Sequence, residues 1–469
     1  MIKFLHISDV HLGCRRYNLD ERTKDFFRAW FDVVERHAVA NHVDFVLIAG
    51  DFFDRRHIDP QTMNHAIAGL QKLKEAGIPA VVIEGNHDRR DSISPYSWMR
   101  SFCQAGLLIL LEPYNSGDSP IDLAPWDDEA REGSYIDIKG ARIFGTHWLG
   151  MFNDVTMSIL SDSIRRARDP NLFNILMLHT DVEGQLNRPG PALMPIGKLR
   201  ELRPLVDYVA LGHTHKRFEV DGWAFNPGSL EACSVDEHRE ERGVYLVEVD
   251  DERRVTATHS RDYFQRPFQR IVFDVSGAVD AEAVRVGVME KVAAEARRHD
   301  ADSTEPAPII ELILRGHLGF KNSLLELARM RDEARALTGA LHVMVKNQSV
   351  PVEYAVAADL DADVTRAQRE RRIVEDLIAR DNRWRDRAPE MAELVLHAKK
   401  LILSDEAPAD ILKYIEDQLE KNASAAAIAP LEAEESEDLA PAPSAGAFQA
   451  VARSAETSVS GLLSAVGDE

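Results

Sequence analysis

Cysteine is nearly absent from this 469-residue chain: only Cys14, Cys103 and Cys233 occur, far apart and in no paired spacing. That argues against a disulfide framework and a cysteine zinc site, and it fits a reducing compartment. Long hydrophobic runs are missing too. No apolar stretch approaches the ~18 to 20 residues of a membrane helix, and the N-terminus enters a charged, strand-like segment without a signal-peptide pattern. The expectation is a soluble, cytoplasmic protein with no membrane contact. Basic residues are in deficit, 56 Lys and Arg against 78 Asp and Glu, for a net charge of −22. That argues against coating polyphosphate through bulk charge, so any nucleic-acid contact must be local. Residues 1–270 hold 33 basic and 41 acidic residues, so only −8 of the −22 falls there. No Gly-rich loop ending in Lys-Ser or Lys-Thr is present, so any ATP dependence has to come from a partner.

What is present is enough apolar residue, 45% of the chain, to build a large core and two to four domains. Short runs at Ile2–Ser8, Phe45–Gly50, Ala80–Gly85, Ile143–Thr146, Asn174–Thr180 and Tyr208–Gly212 read as buried strands alternating with helices, a layered α/β domain. Between the first two, Phe26, Phe27, Trp30, Phe31, Val33, Val34 and Ala38 put one apolar stripe on a helix near 22–40. Hairpins are expected at Arg217–Phe225 and Val244–Ser260. A small α+β unit follows, with strands at Arg270–Val275, Ile309–Arg315 and Leu341–Val345 and helices at Ala281–Arg298 and Leu324–Leu337. From Asp363 to Glu420 the period is helical, interrupted at Pro389 and Pro408. Residues 423–469, rich in Ala, Ser, Pro and Glu, are expected to be a disordered tail.

Metal-competent side chains fall at the C-terminal ends of these strands, the edge where layered α/β folds bind ligands. Strand one runs into Asp9-Val10-His11, the next into Gly50-Asp51, and the third into Gly85-Asn86-His87-Asp88. Later strands run into His179 and into Gly212-His213-Thr214-His215. A glycine before Asp51, Asn86 and His213 permits sharp turns and close approach. Seven donors, Asp9, His11, Asp51, Asn86, His179, His213 and His215, exceed a tetrahedral zinc site but suit two cations that share a carboxylate. Two divalent ions less Asp9 and Asp51 leave a formal +2, which attracts a phosphodiester. Mixed nitrogen and oxygen donors favour manganese, with iron or zinc as alternatives. Such a pair can activate water and clamp phosphoryl oxygens. His87 need not be a ligand and suits proton donation to a leaving oxygen, with Asp88 to orient it.

In that order these motifs resemble the calcineurin-like metallophosphoesterases. More narrowly, His6 to Gly13, Leu178 to Gly184, Leu211 to Arg217 and Asn226-Pro227-Gly228-Ser229-Leu230-Glu231 resemble the SbcD branch, the nuclease subunit of a double-strand-break repair complex. The resemblance implies a layered β-sandwich nuclease domain over 1–268, an α+β capping domain over 269–346 that helps bind DNA, and a helical partner-binding module over 347–422. It implies Asp9, His11, Asp51 and His215 on one manganese, with Asp51, Asn86, His179 and His213 on the other, and His87 as the catalytic histidine. It further implies a homodimer that cleaves DNA as exonuclease or endonuclease and docks a coiled-coil ABC-type ATPase, SbcC-like, on the helices near 363–420, where Trp384 is a candidate anchor. The chain departs from part of the family at Asp54, where several members carry a second active-site histidine; His57 is a weak substitute. Arg15, Arg16, Arg55, Arg56, Arg89 and Arg90 follow three ligand loops in pairs and are the local basic patch for a DNA backbone. His6, His147 and His342 are read as structural. Two other readings stay open: a cyclic-nucleotide or small-molecule phosphodiesterase, and a DNA-end tether with vestigial hydrolysis.

Overall fold

The structure, a computed structural model, describes residues 1–89, 96–113, 121–152, 154–185, 193–300, 302–350, 365–379, 384, 387–404 and 406–425. Arg90 and most of the expected tail, 426–469, lie outside the described residues. The chain divides into two compact units, Met1–Ala355 and Val356–Glu469.

In the first unit, strands β1 (Ile2–Ile7), β2 (Phe45–Ala49), β3 (Ala80–Ile83) and β4 (Ile109–Leu110) run parallel to one another. A second sheet holds β5 (Tyr135–Ile138), β6 (Ala141–Gly145), β7 (Phe173–His179), β8 (Tyr208–Gly212), β9 (Phe218–Val220) and β10 (Ala224–Asn226), in the order β5-β6-β7-β8-β10-β9. The chain then returns to the first sheet with β11 (Val244–Val249) and β12 (Val255–Ser260), which pair beside β1 to give β12-β11-β1-β2-β3-β4.

Alternate side chains explain why the two sheets stack. On β1, β2, β7 and β8, the inward set Phe4, Phe45, Leu47, Phe173, Ile175, Met177, Tyr208 and Ala210 forms one core between the sheets. The outward set Leu5, Ile7, Val46 and Ile48 packs on helices α1 (Asp20–Val33), α2 (Pro60–Glu75) and α3 (Trp98–Gln104). On the far side Leu176, Leu178, Val209 and Leu211 pack on α4 (Asp154–Ala167) and α5 (Ile196–Glu201). Strands buried on both faces read as unbroken apolar runs, which is why they stand out in the sequence. The layered sandwich flanked by helices is the architecture expected. The expected helix near 22–40 is α1, continued by a wider π turn over Val34–Val39. The β4 and β5 strands were not foreseen; β4 is only two residues long and β5 is half exposed.

After Pro267 the chain builds a parallel three-stranded sheet, β13 (Phe268–Asp274), β14 (Ile309–Arg315) and β15 (His342–Asn347), covered by α6 (Ala281–Glu295) and α7 (Leu327–Thr338). Its junction with the sandwich is a buried charge triad. Asp25 of α1 accepts two 2.6 Å bonds from Arg266 and one of 2.7 Å from Arg22, and Asp25 and Arg22 are fully buried. The Arg22 guanidinium lies between the Phe26 and Phe268 rings, 5.1 Å from each centroid.

The second unit contains α8 (Arg366–Ala379), α9 (Ala388–Leu403) and α10 (Pro408–Ala425). Pro389 and Pro408 stand in the first turns of α9 and α10, where a missing N–H costs nothing. The α10 helix runs to Ala425, three residues into the segment expected to be disordered. No helix among the described residues is long and apolar enough to cross a membrane.

Removing Asp25 takes the shared, hydrogen-bonded carboxylate from two buried guanidinium groups and leaves only more distant ones, Glu231 at 3.7 Å from Arg22 and Glu21 at 4.0 Å from Arg266. Asp25→Ala should therefore lower unfolding stability by about 3 to 5 kcal/mol, read from urea denaturation; a loss below 1 kcal/mol would show that the triad does not hold the junction.

Candidate metal centre

The C-terminal ends of β1 and β2 continue side by side beyond the strands, joined by Asp9 N–H to Gly50 O at 3.1 Å and His11 N–H to Asp51 O at 3.0 Å. Across the sandwich, β7 ends in His179 and β8 delivers His213 and His215. Four of the seven proposed ligands adopt left-handed backbone, Asp9, His11, Asp51 and His213, with φ between 49° and 90°. Such residues cost roughly 1 to 3 kcal/mol each and persist where surrounding contacts impose them.

The glycines act mainly through space. A Cβ on Gly50, whose φ is +90°, would stand 2.3 Å from His179 Nδ1, and one on Gly85 would stand 2.1 Å from Asp51 Oδ1. Of the three glycines preceding ligands, only Gly50 uses positive φ; Gly85 and Gly212 are required by close approach, Gly212 lying against Ala49 O. The Asn226 to Glu231 motif clamps the last ligand loop: Asn226 Nδ2 donates to the carbonyls of Thr214 and Lys216, Ser229 N–H to His215 O, and Leu230 N–H to Asp9 O.

The structure brings all seven side chains together. Asp51 Oδ2 stands 3.2 Å from His179 Nε2 and 3.9 Å from His11 Nε2, so it belongs to two donor groups, Asp9–His11–Asp51 and Asp51–His179–His213. Asn86 Oδ1 lies 3.3 Å from His179 Nε2 and 2.9 Å from His213 Nδ1. His215 Nε2 is 3.0 Å from His11 Nε2 and 3.7 Å from Asp9 Oδ1. Asp9 is 0%, His11 1%, Asp51 2% and His179 2% exposed. Carboxylates so deeply buried require countercharge, and the mixed imidazole, amide and carboxylate donors fit divalent cations.

Hydrogen bonds on the far ring nitrogens set the tautomers. A carbonyl only accepts, so His179 Nδ1–H donates to Ala49 O at 2.8 Å and leaves Nε2 to face Asp51. His215 Nδ1 meets Glu237 Oε1 at 3.0 Å, an orienting carboxylate that no sequence motif identified. His87 Nδ1–H donates to the Asp54 carbonyl at 2.7 Å, leaving Nε2 4.0 Å from Asp51 Oδ2, and its side chain is 41% exposed. Asp88 does not orient His87 as expected. Its carboxylate accepts the N–H groups of Phe52, Phe53 and Gly85 at 3.0, 2.8 and 3.1 Å, tying the Asp51 loop to the Asn86 loop. The Asp54 carboxylate stands 3.7 Å from His11 Nδ1. His57 is exposed.

Arg15, Arg16, Arg55, Arg56 and Arg89 are all exposed; Arg15 pairs with Asp20 at 2.6 Å and Arg89 lies over the Trp148 ring. His6 is a core residue, accepting from Tyr208 OH at 2.9 Å and donating to Leu211 O at 3.1 Å, and burial pushes it down to about 3. His342 stacks on Tyr17, and His147 is partly buried.

Without cations the carboxylates draw protons onto their neighbours. Burial opposes charge on His179, but Asp51 and Asp9 raise it to about 9; burial likewise opposes charge on His215, which Glu237 and Asp9 raise to about 9. Burial pushes Asp9 up, whereas Asp51, despite burial, is held well below the carboxylate range by His179. Burial and the nearby His215 lower His11 to about 3.

Residues 2–217 match the calcineurin-like phosphoesterase family model, and this part of the chain is a calcineurin-like phosphoesterase domain. Over a longer span the chain is similar to archaeal proteins named DNA double-strand break repair protein Mre11. It is 26% identical to that of Saccharolobus solfataricus over 432 residues, covering 88% of this chain and 99% of the relative. Identity to the Aeropyrum pernix protein is 29%, covering 74% and 80%, and to the Sulfurisphaera tokodaii protein 27%, covering 77% and 85%.

Two predictions follow from the protonation pattern and from Glu237. His179 and His215 are raised above their ordinary 6.5, so their contribution to metal-free stability is full below that pH and is lost as pH rises towards 9. Metal ligation needs both rings deprotonated, so the rise in Tm on adding manganese should grow from pH 6.5 to 9 in scanning calorimetry; a constant or shrinking increment would contradict the assignment. Glu237→Gln, which removes the charge behind His215, should weaken manganese binding about 10- to 100-fold by isothermal titration.

Proposed function

We propose that the chain is a manganese-dependent DNA phosphodiesterase, the nuclease subunit of an SbcCD-like break-repair complex. The observation that carries this reading is the seven-donor cluster sharing Asp51, with the exposed face of His87 beside it, in a chain whose relatives are named for double-strand break repair. Asp9, His11, Asp51 and His215 would hold one cation and Asp51, Asn86, His179 and His213 the other. Two divalent ions bound there supply Lewis acidity towards phosphoryl oxygens and acidify water.

The chain's own residues do the rest. His87, fixed through Nδ1 on the Asp54 carbonyl, presents Nε2 at the edge of the donor cluster, 4.0 Å from Asp51 Oδ2, where its protonated form can stabilise charge on the leaving oxygen or donate a proton to it. Because Asp54 holds His87 through its backbone, the lack of a histidine at position 54 does not leave the His87 ring unsupported. The exposed Arg15, Arg16, Arg55, Arg56 and Arg89 would grip backbone phosphates on either side of the scissile bond. In the second unit Leu377, Ile402, Leu403 and Leu412 are each more than half exposed, which supports α8–α10 as the seat of a coiled-coil ABC-type ATPase. Trp384 is partly buried beside them in the sequence and fits the same role. A second copy of the chain completes the assembly this reading implies.

Purified protein with manganese, offered labelled duplex DNA and cyclic nucleotides, should degrade the DNA; turnover of the cyclic nucleotides alone would discard the nuclease reading. His87→Ala should lower the cleavage rate by about 10²- to 10⁴-fold while manganese binding persists.

A further inference from the structure

Two cysteines that look unrelated in sequence meet beside the metal centre. The Cys233 thiol contacts that of Cys14, and its backbone N–H donates at 2.9 Å to Glu237, the carboxylate that orients His215. One nitrogen each of His11 and His215 and the sulfur of Cys233 lie within 4.8 Å of one another. Cys233 is half-buried and therefore reachable, whereas Cys14 is buried. His11, 1% exposed, keeps Nδ1 without a hydrogen-bond partner, the Asp54 carboxylate standing 3.7 Å away.

We propose that His11, His215 and Cys233 form a thiolate site for zinc that overlaps one half of the manganese centre and blocks it. The two Nε2 atoms are 3.0 Å apart, near the ~3.3 Å edge of a tetrahedron built on ~2.05 Å zinc–nitrogen bonds. A ~2.3 Å zinc–sulfur bond needs nitrogen–sulfur edges of ~3.5 Å, so a sulfur now within 4.8 Å of one nitrogen of each ring closes the site by a side-chain adjustment on the order of an ångström. Binding exchanges the thiol proton for the metal: the S–H bond breaks, a sulfur–zinc bond forms, and the proton leaves to solvent. Thiolate favours zinc over manganese, which prefers oxygen and imidazole, so the third ligand selects the blocking metal. The lack of paired cysteine spacing argues against a zinc site built on several cysteines; a site with one sulfur and two borrowed imidazoles needs no such spacing.

This inference rests on His11 and His215 serving the manganese centre, and the test separates the two. Cobalt(II) is the probe for the zinc site, because a thiolate ligand gives it a sulfur-to-cobalt charge-transfer band in the near ultraviolet. The intact chain should show that band, zinc should abolish it at one equivalent, and Cys14→Ala should keep it. Cys233→Ala should lose it and should need at least tenfold more zinc to displace manganese, followed by electron paramagnetic resonance. Absence of the band in the intact chain, or its persistence in Cys233→Ala, would overturn the zinc site. Should Cys233→Ala fail to fold, by circular dichroism, Cys233→Ser is read in the same way, with a cobalt band shifted or weakened as the expected result and an unchanged band as the refuting one. Failure of the intact chain to bind manganese would instead overturn the metal-centre reading, whatever the cobalt spectrum.

Discussion

Two carboxylates with almost no access to water, Asp9 and Asp51, set the terms for the rest of the molecule. Buried charge is tolerated only against opposite charge and directed hydrogen bonds. The sandwich supplies both by aligning the ends of two parallel strand pairs across its core. β1 and β2 bring the carboxylates, and β7 and β8 bring imidazoles to meet them. Rings fill the space between the sheets: Phe4 stacks on Phe45 of the neighbouring strand at 5.1 Å and reaches across to meet Tyr208 of the second sheet edge-on at 5.2 Å. His6 adds a polar tie, bridging β1 to Tyr208 and Leu211 of β8 a few residues before the ligands begin. Apolar packing and metal chemistry are thus one construction, because a sheet displaced along that core carries His179 away from Asp51.

The backbone is as specialised as the side chains. Left-handed conformation at Asp9, His11, Asp51 and His213 costs stability, and it is held by bonds that also position the ligands. His213 N–H donates to both oxygens of Asp9, at 3.1 and 3.0 Å. Asp88 plays the corresponding part for the Asp51 loop with three backbone N–H groups on one carboxylate. Pre-positioning of this kind means that cations would enter an assembled ring of donors rather than assembling it.

Much of this was legible in the sequence, for identifiable reasons. Strands buried on both faces appear as apolar runs, and ligands at strand ends appear as short polar motifs after them, so the sandwich and the seven donors could be read together. The cap was legible too, since β14 spans Ile309–Arg315 as expected and the other boundaries differ by a few residues. What stayed hidden depends on contacts distant in sequence. Glu237 carries no motif and becomes important only because the chain folds it under His215. Asp88 was assigned to His87 by adjacency, but the turn directs its carboxylate back to the strand ends. The Asp25–Arg266 pairing joins residues 241 positions apart, and no local pattern distinguishes Arg266 from a surface arginine. Cys14 and Cys233 fall in the same class.

The same geometry reconciles an acidic chain with an anionic substrate. At ~0.15 M salt, charges more than ~8 Å apart in solvent are largely screened, so most of the −22 acts weakly at the strand ends. Inside the cleft, where Asp9 and His179 are nearly inaccessible to water, screening is poor and the balance of nearby charge decides. The metal-free donors are held in place partly by protons on His179 and His215, and divalent cations bound as proposed would put a larger charge in place of those protons. At the strand ends themselves, attraction for a phosphodiester would therefore come chiefly from the loaded centre, within a few ångströms of Asp51. Attraction confined in this way favours a phosphate brought to the strand ends by the surrounding arginines and leaves polyanions elsewhere on the surface unbound.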